Sequence, residues 1–405
     1  MASPPVDRGL ARFTNRGLPF VLLVTLLVLA LGFAHKSQCV RPDFNERGYR
    51  LLCYSDILPL YHSEGLDRSR VPYLQTPNEY PVVTGLFMWA MSLVGRSQRG
   101  FFLANAVALA GFGLLTSVLL YRSVGRRVWF FALAPALFLY GFLNWDLLVV
   151  FLATAATIAF LARRDGLSGV LLGVGAAAKL YPALFLVPFV LQRLHEDDRK
   201  GAVRLGLAAV GTWVLVDLPF AVLSPERWSF FFRYSSSRPM TYGTLWFAGC
   251  DAIADREHCL SIPVLNGVSA LLTLVLAAWL WRMKTSRDQG FARWTFAFPL
   301  LIVFLLVNKV YSPQYSLWLI PWFALVLPDL RLFVAFAVAD LAVFVTEFSW
   351  LGRHFGYAGL PVWPVEIAAL ARAAVLVWIL FVYVHGVIRE GRPIAIASRD
   401  DARIP

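Results

Sequence analysis

The chain has 405 residues, of which 59% are hydrophobic and only 15% charged, with a formal net charge of +12. Mean hydropathy is +0.63, and soluble proteins carry roughly 25% charged residues, so a water-soluble globular protein is excluded. The basic excess sits in short loops between apolar runs and forms no continuous stripe; this argues against nucleic acid and fits positive loops beside anionic lipid.

Apolar runs recur along the whole length. A spanning helix needs about 20 residues, and only helices or closed barrels satisfy their backbone in hydrocarbon. The runs are too continuous for barrel strands, which alternate over about 10 residues. The sequence therefore predicts an all-α polytopic membrane protein. Residues 1–17 are polar and basic, with Arg8, Arg12 and Arg16, and read as an inner tail. Helix 18–34 follows; a cleaved signal peptide is the rival reading of this start. Next comes a long polar interval. Its most polar part, 54–81, carries Asp56, Glu64, Asp67 and Glu79. The apolar segment 81–94 is short for a span. Treated as an interfacial or half-inserted helix, it places the basic loop after 101–121 on the inner side.

Further helices are then expected at 101–121, 128–141, 145–162, 167–180, 182–194, 203–222, 262–281, 294–307, 315–328, 331–349 and 364–388. With the first, that gives about 12 spans. The charge-dense loops 162–165, 192–204 and 281–293 and the tail 389–405 fall inside. Segments 35–100, 141–146, 178–182, 223–261, 308–315 and 350–363 fall outside. Cys39 and Cys53 share the first outer loop, and Cys250 and Cys259 share the large one. An oxidising exterior allows disulfides within each pair. Free thiols or a metal site with His62 and His258 are the alternatives, but the spacing matches no zinc pattern. No internal repeat, glycine-rich phosphate loop or nucleotide-binding domain is evident.

Four stretches carry a resemblance: YSDILPLYHSEGL, then VPYL followed by EYP, GVGAAAKLYPALFLVP, and NKVYSPQYSLWLIPW. In order and spacing the chain resembles the GT-C superfamily of membrane glycosyltransferases, and most closely glycosyltransferase family 87. That family includes polyprenyl-phosphate-mannose-dependent mannosyltransferases of actinobacteria. The resemblance implies one GT-C domain over 1–405, with 35–100 as a structured catalytic outer loop that includes the interfacial helix. It also implies a plasma-membrane location and an active site on the extracytoplasmic face. The reaction implied is inverting transfer of a sugar, mannose first, from a polyprenyl-phosphate donor to an envelope glycolipid or polysaccharide. Arabinofuranose is the alternative sugar. A lipid-linked sugar flippase and a non-catalytic scaffold are alternatives of other classes. A divalent metal is possible, and no ligand set indicates one.

Asp56 stands where the superfamily places its general base; the plain reading is a helix N-cap, and Asp43 is the rival base. Glu79, at the mouth of the next helix, is expected beside the acceptor or behind Asp56; a favourable charge at a helix N-terminus is the plain alternative. Lys179 is expected on the lipid phosphate, since an ammonium at that depth needs a partner; snorkelling is the alternative. Tyr181 joins it or belongs to an aromatic belt. Lys309, Tyr311 and Gln314 form a second candidate phosphate cluster, with Arg238 the preferred arginine of the 223–261 loop. His354 and Asn144 are weaker acceptor-side candidates, Asn144 and Asp146 otherwise being helix caps. Arg372 and Asp340 lie within helices and either pair or line a cavity, where Asp217 would join them.

Overall fold

The computed structural model describes residues 17–41, 43–253 and 259–387, with the backbone of 395–396. The expected tails 1–17 and 389–405 lie almost wholly outside the described residues, as does His258. The described chain is nearly all helical. Its one sheet is a two-residue antiparallel pairing of Gly386–Val387 with Ala395–Ile396.

Six helices are long and apolar enough to cross a membrane: Leu18–Ser37, Gln98–Ala132, Arg199–Leu223, Ile262–Arg287, Leu330–His354 and Trp363–His385. The other expected spans are shorter or broken, and proline is the usual cause. Pro135 opens Pro135–Tyr140 after a gap in the chain's helicity. Pro182 and Pro313 lie in turns of tighter helix at Tyr181–Phe185 and Pro313–Trp318, ahead of Leu186–His195 and Ile320–Leu325. A proline lacks the N–H that a helix interior needs and is favoured near a helix start, although Pro219 lies inside Arg199–Leu223. Asp146–Leu161 and Asp165–Ala178 are continuous but have only 16 and 14 residues.

Long and short helices occupy different places. Asp146–Leu161 and Ala297–Val307 are buried on nearly every side. Arg199–Leu223 and Ile262–Arg287 expose Leu207, Leu215, Val222, Leu271 and Leu274. An outward row of leucine and valine on helices of spanning length is the surface a bilayer covers. The protein is accordingly a multi-pass membrane protein, with short polar-ended helices sheathed by long apolar ones.

Close packing uses small residues. Gly169 and Gly173 lie one turn apart on the 165–178 helix, against the 199–223 helix. A Cβ on Gly173 would come within 2.5 Å of the Ala209 carbonyl oxygen, and one on Gly169 would strike that of Leu205. Helices in lipid have little hydrophobic drive toward each other, so such backbone approach is a main source of adhesion. The short helix Val82–Val94 is held to this pair, as the Thr84 hydroxyl donates to the Ala178 carbonyl at 2.7 Å.

The 146–161 helix separates two polar ends. At its Leu161 end the loops 162–165 and 192–204 meet, with Arg163 on Glu196 at 2.7 Å and Arg193 on Asp165 at 2.7 Å. Gln192 also accepts from the Trp294 backbone N–H, which brings the 281–293 loop to the same end. At its Asp146 end lies the 54–81 interval. Cys39 is bonded to Cys53 there, with Cα atoms 5.9 Å apart. Cys250 is bonded to Cys259, with Cα atoms 5.6 Å apart.

Gly173→Leu drives a side chain into the 199–223 backbone. It is expected to destabilise the protein by about 1–3 kcal/mol, read as a lower thermal midpoint in lipid nanodiscs; an unchanged midpoint contradicts this packing.

Candidate active site

Asp56 is fixed by the backbone before its side chain does anything. Its N–H donates to the Leu143 carbonyl at 2.9 Å, and the Ser55 hydroxyl donates to the Phe142 carbonyl at 2.7 Å. The Ser55–Asp56 step is thus fastened to the turn before the 146–161 helix. That turn is itself pinned, because the Trp145 indole donates to Asn105 at 2.7 Å on the 98–124 helix. Asp56 stands at the start of Ile57–Ser63, but its carboxylate makes no capping bond.

The carboxylate instead receives two side-chain donors. Asn144 Nδ2 lies 2.8 Å from Asp56 Oδ2 and also reaches the Tyr80 hydroxyl oxygen at 2.7 Å. The Tyr54 hydroxyl is the second donor. Burial pushes the Asp56 carboxyl above its ordinary range; the bonds from Asn144 and Tyr54 and the charges of Lys179 and Arg238 pull it partly back. Glu79 is likewise raised, by burial and then by the charge of Asp56, against a hydrogen bond from Tyr234 and the charges of Arg238 and Lys179. These are two carboxylates in one recess, each resisting ionisation of the other.

Of the cations, Arg238 faces this recess together with Glu79 and the hydroxyls of Tyr80, Tyr234 and Tyr315. Among the described residues it has no carboxylate within ion-pair distance, which leaves its guanidinium open to an anion. Lys309 stands near it, its ammonium on the Ser236 carbonyl at 2.8 Å. Burial, and then the charge of Arg238, lowers the Lys309 pKa.

Lys179 has a carboxylate partner of its own. Its ammonium sits 2.7 and 2.8 Å from the two carboxylate oxygens of Asp146, among the rings of Tyr80, Tyr315 and Trp318. The Trp318 indole donates to the same carboxylate at 2.6 Å. Lys179 is thus an ion-pair partner of Asp146, and its charge still reaches Asp56 and Glu79. Tyr181 is also a wall residue, 3% exposed, with its ring stacked 4.1 Å from Trp318.

Tyr311 lies under Arg372, whose guanidinium carbon is 3.7 Å from its ring centroid. Arg372 pairs with Asp340 at 3.1 Å and donates to the Gly243 carbonyl at 3.0 Å, while the Ser316 hydroxyl also donates to Asp340. This network anchors the 241–244 segment that follows Arg238, and Tyr311 is part of it. Asp217 is not part of it; its carboxylate takes the Trp228 indole at 2.8 Å. Gln314 is buried beside the wall. His354 is exposed at a helix end, stacked 5.0 Å from Trp350.

The structure thus gathers Asp56, Glu79, Asn144 and Arg238, with Lys309 behind, and draws Lys179, Tyr181 and Tyr311 into supporting walls. Of the tyrosines at the recess, the sequence marks Tyr234 only as one of the aromatic residues of the 223–261 loop and gives Tyr54 and Tyr80 no role. The triplets YSD and EYP hold two of them beside a flagged acid, which was the available signal. Among the described residues no three His, Cys, Asp or Glu side chains group as metal ligands; Asp56 and Glu79 are the two carboxylates of the recess that an ion would meet.

An ionisable carboxylate with fixed donors, a neighbouring acid and an open guanidinium is an arrangement for moving a proton beside an anionic leaving group. The sequence pattern of glycosyltransferase family 87 matches residues 79–308. That is more than half of the chain, and the protein belongs to this family. The match opens at Glu79, so Asp56 precedes it. Similar solved structures include ArnT from Cupriavidus metallidurans bound to undecaprenyl phosphate, at 16% identity and a TM-score of 0.45 over 90% of this chain and 76% of that one. The apo form of the same protein gives 16% identity and a TM-score of 0.44 over 91% and 77%. No curated protein sequence matches the chain.

Glu64 underlies Glu79, whose backbone N–H donates to the Glu64 carboxylate. Burial, with the charge of Glu79, raises the Glu64 pKa from 4.5 to about 8. A raised acid favours folding while protonated, and that contribution is lost as pH climbs from the unfolded value to the folded one. Glu64→Gln is expected to flatten the fall of the thermal midpoint between about pH 5 and 8 and to raise the midpoint at the upper end. A wild-type slope in the variant contradicts the assignment.

Proposed function

We propose that the protein is an inverting, polyprenyl-phosphate-sugar-dependent glycosyltransferase with Asp56 as general base. The observation that carries this reading is the Asp56 carboxylate, held by Asn144 and Tyr54 in a recess whose open cation is Arg238. The acceptor hydroxyl loses its proton to Asp56 as its oxygen forms a bond to the anomeric carbon. The bond from that carbon to the phosphate oxygen breaks on the opposite face, and the phosphate leaves with the electron pair. Arg238, with Lys309 behind it, stabilises the charge that gathers there. A base raised toward neutrality is better matched to this task than an ordinary aspartate, provided that it remains ionised.

A lipid donor is supported by an apolar groove that begins beside the site. Leu172, Ala176, Leu180, Leu186, Val210 and Trp213 line it, and Leu180 and Trp213 also border a packed pocket that reaches Tyr80. Mannose is the sugar that the sequence resemblance implies, and an envelope glycolipid or polysaccharide the acceptor. In this reading the six long helices and the shorter segments make about twelve crossings of one domain. The Asp56 end faces outward, and the arginine-rich end faces the cytoplasm, as the positive-inside rule asks. His354 stands on the acceptor side.

The test is sugar transfer in lipid nanodiscs with polyprenyl-phosphate-mannose and crude envelope glycolipid. Asp56→Asn is expected to lose about 10²–10⁴ in kcat while still binding donor. Arg238→Gln is expected to weaken donor binding about tenfold or more, the size of a lost charge-assisted hydrogen bond. Wild-type turnover by Asp56→Asn overturns the base assignment. No transfer from mannose or arabinofuranose donors overturns the donor class.

A further inference from the structure

Lys36 lies one residue before the end of the Leu18–Ser37 helix and has no exposed surface. Its Nζ donates to the Tyr54 carbonyl at 2.7 Å. It sits 5.3 Å and 5.9 Å from the ring centroids of Phe344 and Phe348. Among the described residues it forms no ion pair with a carboxylate. Burying an ammonium against one carbonyl and two rings is costly, and packing alone would be served better by methionine. The acid whose charge reaches it is Asp56.

We propose that Lys36 is a positioning residue for the transfer reaction, gripping the Tyr54 backbone from inside the bundle and holding the Asp56 carboxylate in place and ionised. The proposal rests on Asp56 being the base. Its mechanical part follows from three consecutive residues. Tyr54 is held through its carbonyl by Lys36, while Ser55 and Asp56 are held by the Phe142 and Leu143 carbonyls. The Tyr54 side chain then donates to Asp56. Without Lys36 one side of this fastening is lost.

The electrostatic part follows from what surrounds Asp56. Lys36, Lys179 and Arg238 are its cations; Glu79 is the neighbouring anion; Tyr49, Tyr54, Tyr80 and Tyr234 present hydroxyls. Lys179 is balanced by Asp146. Arg238 is the group that meets the donor phosphate. Once donor binds, the charge of Arg238 is largely neutralised, and a new anion stands near Asp56. Lys36 lies in the wall, on the Tyr54 carbonyl beside Phe344 and Phe348, and remains as the cation that opposes protonation of the base.

The experiment compares wild type, Lys36→Met, Lys36→Arg and Lys36→Gln in nanodiscs, with the thermal midpoint, donor Kd and the pH dependence of kcat/KM measured for each. In Lys36→Met, donor Kd is expected to stay within about twofold, kcat to fall, and the acid limb to move up by about one pH unit or more, as the loss of a close opposite charge requires. Lys36→Arg is expected to restore the limb. If Lys36→Met does not fold, Lys36→Gln keeps a donor for the Tyr54 carbonyl without the charge, and its limb is read in the same way. A limb at the wild-type position, with any rate loss tracking the thermal midpoint, overturns the proposal while Asp56→Asn stays inactive. Wild-type turnover by Asp56→Asn overturns the base assignment, and this proposal with it.

Discussion

The site depends on one fastening: the Ser55–Asp56 backbone bonded to the Phe142 and Leu143 carbonyls. It joins residues almost ninety positions apart. It sets the first polar interval over the end of the buried 146–161 helix, and everything else at that end is registered to it. Asn144 follows Leu143 directly, so the residue that bonds the carboxylate is delivered by the same turn that holds the backbone. A carboxylate placed this way has its orientation fixed in advance.

Around that fastening the charges are sorted by what they face. Lys179 and Asp146 neutralise one another in the wall, and Arg372 and Asp340 do so deeper in the bundle. Breaking either pair would leave an uncompensated charge in a low-dielectric interior, which is far costlier than the pair itself is stabilising. Arg238 is different, since its segment is tied down through Gly243 and Thr241 while, among the described residues, its own guanidinium has no carboxylate within ion-pair distance. These two pairs are neutral within the walls, and the recess is left electrically unfinished.

The sequence made the class and the polar candidates legible, and family membership agrees with the resemblance. Asp56, Glu79 and Asn144 stood out because they are polar residues in an apolar chain. The partnership of Lys179 and Asp146 did not, since the two are 33 residues apart and joined only by helix packing. Alone, a lysine near a helix end looks as if it seeks phosphate or water. Lys36 was passed over for the same reason, although its side chain turns inward. The helix pattern was visible, but apolar runs do not reveal that Pro182 and Pro313 sit in tighter turns at the head of shorter helices. Hydropathy registers how apolar a stretch is, while the backbone answers to where a donor N–H is missing.

The ion pairs at the far end of the bundle bear on how the chain is threaded into its membrane. Arg163 and Arg193 are matched to Glu196 and Asp165 only after the 162–165 and 192–204 loops have come together. During insertion those loops are still separate, and the arginines act unpaired. Orientation is set by Lys and Arg, with Asp and Glu contributing little. With the proposed orientation, the same side chains would serve first as an address read during synthesis and later as a clasp between helices, and a substitution there would blur biogenesis and stability together.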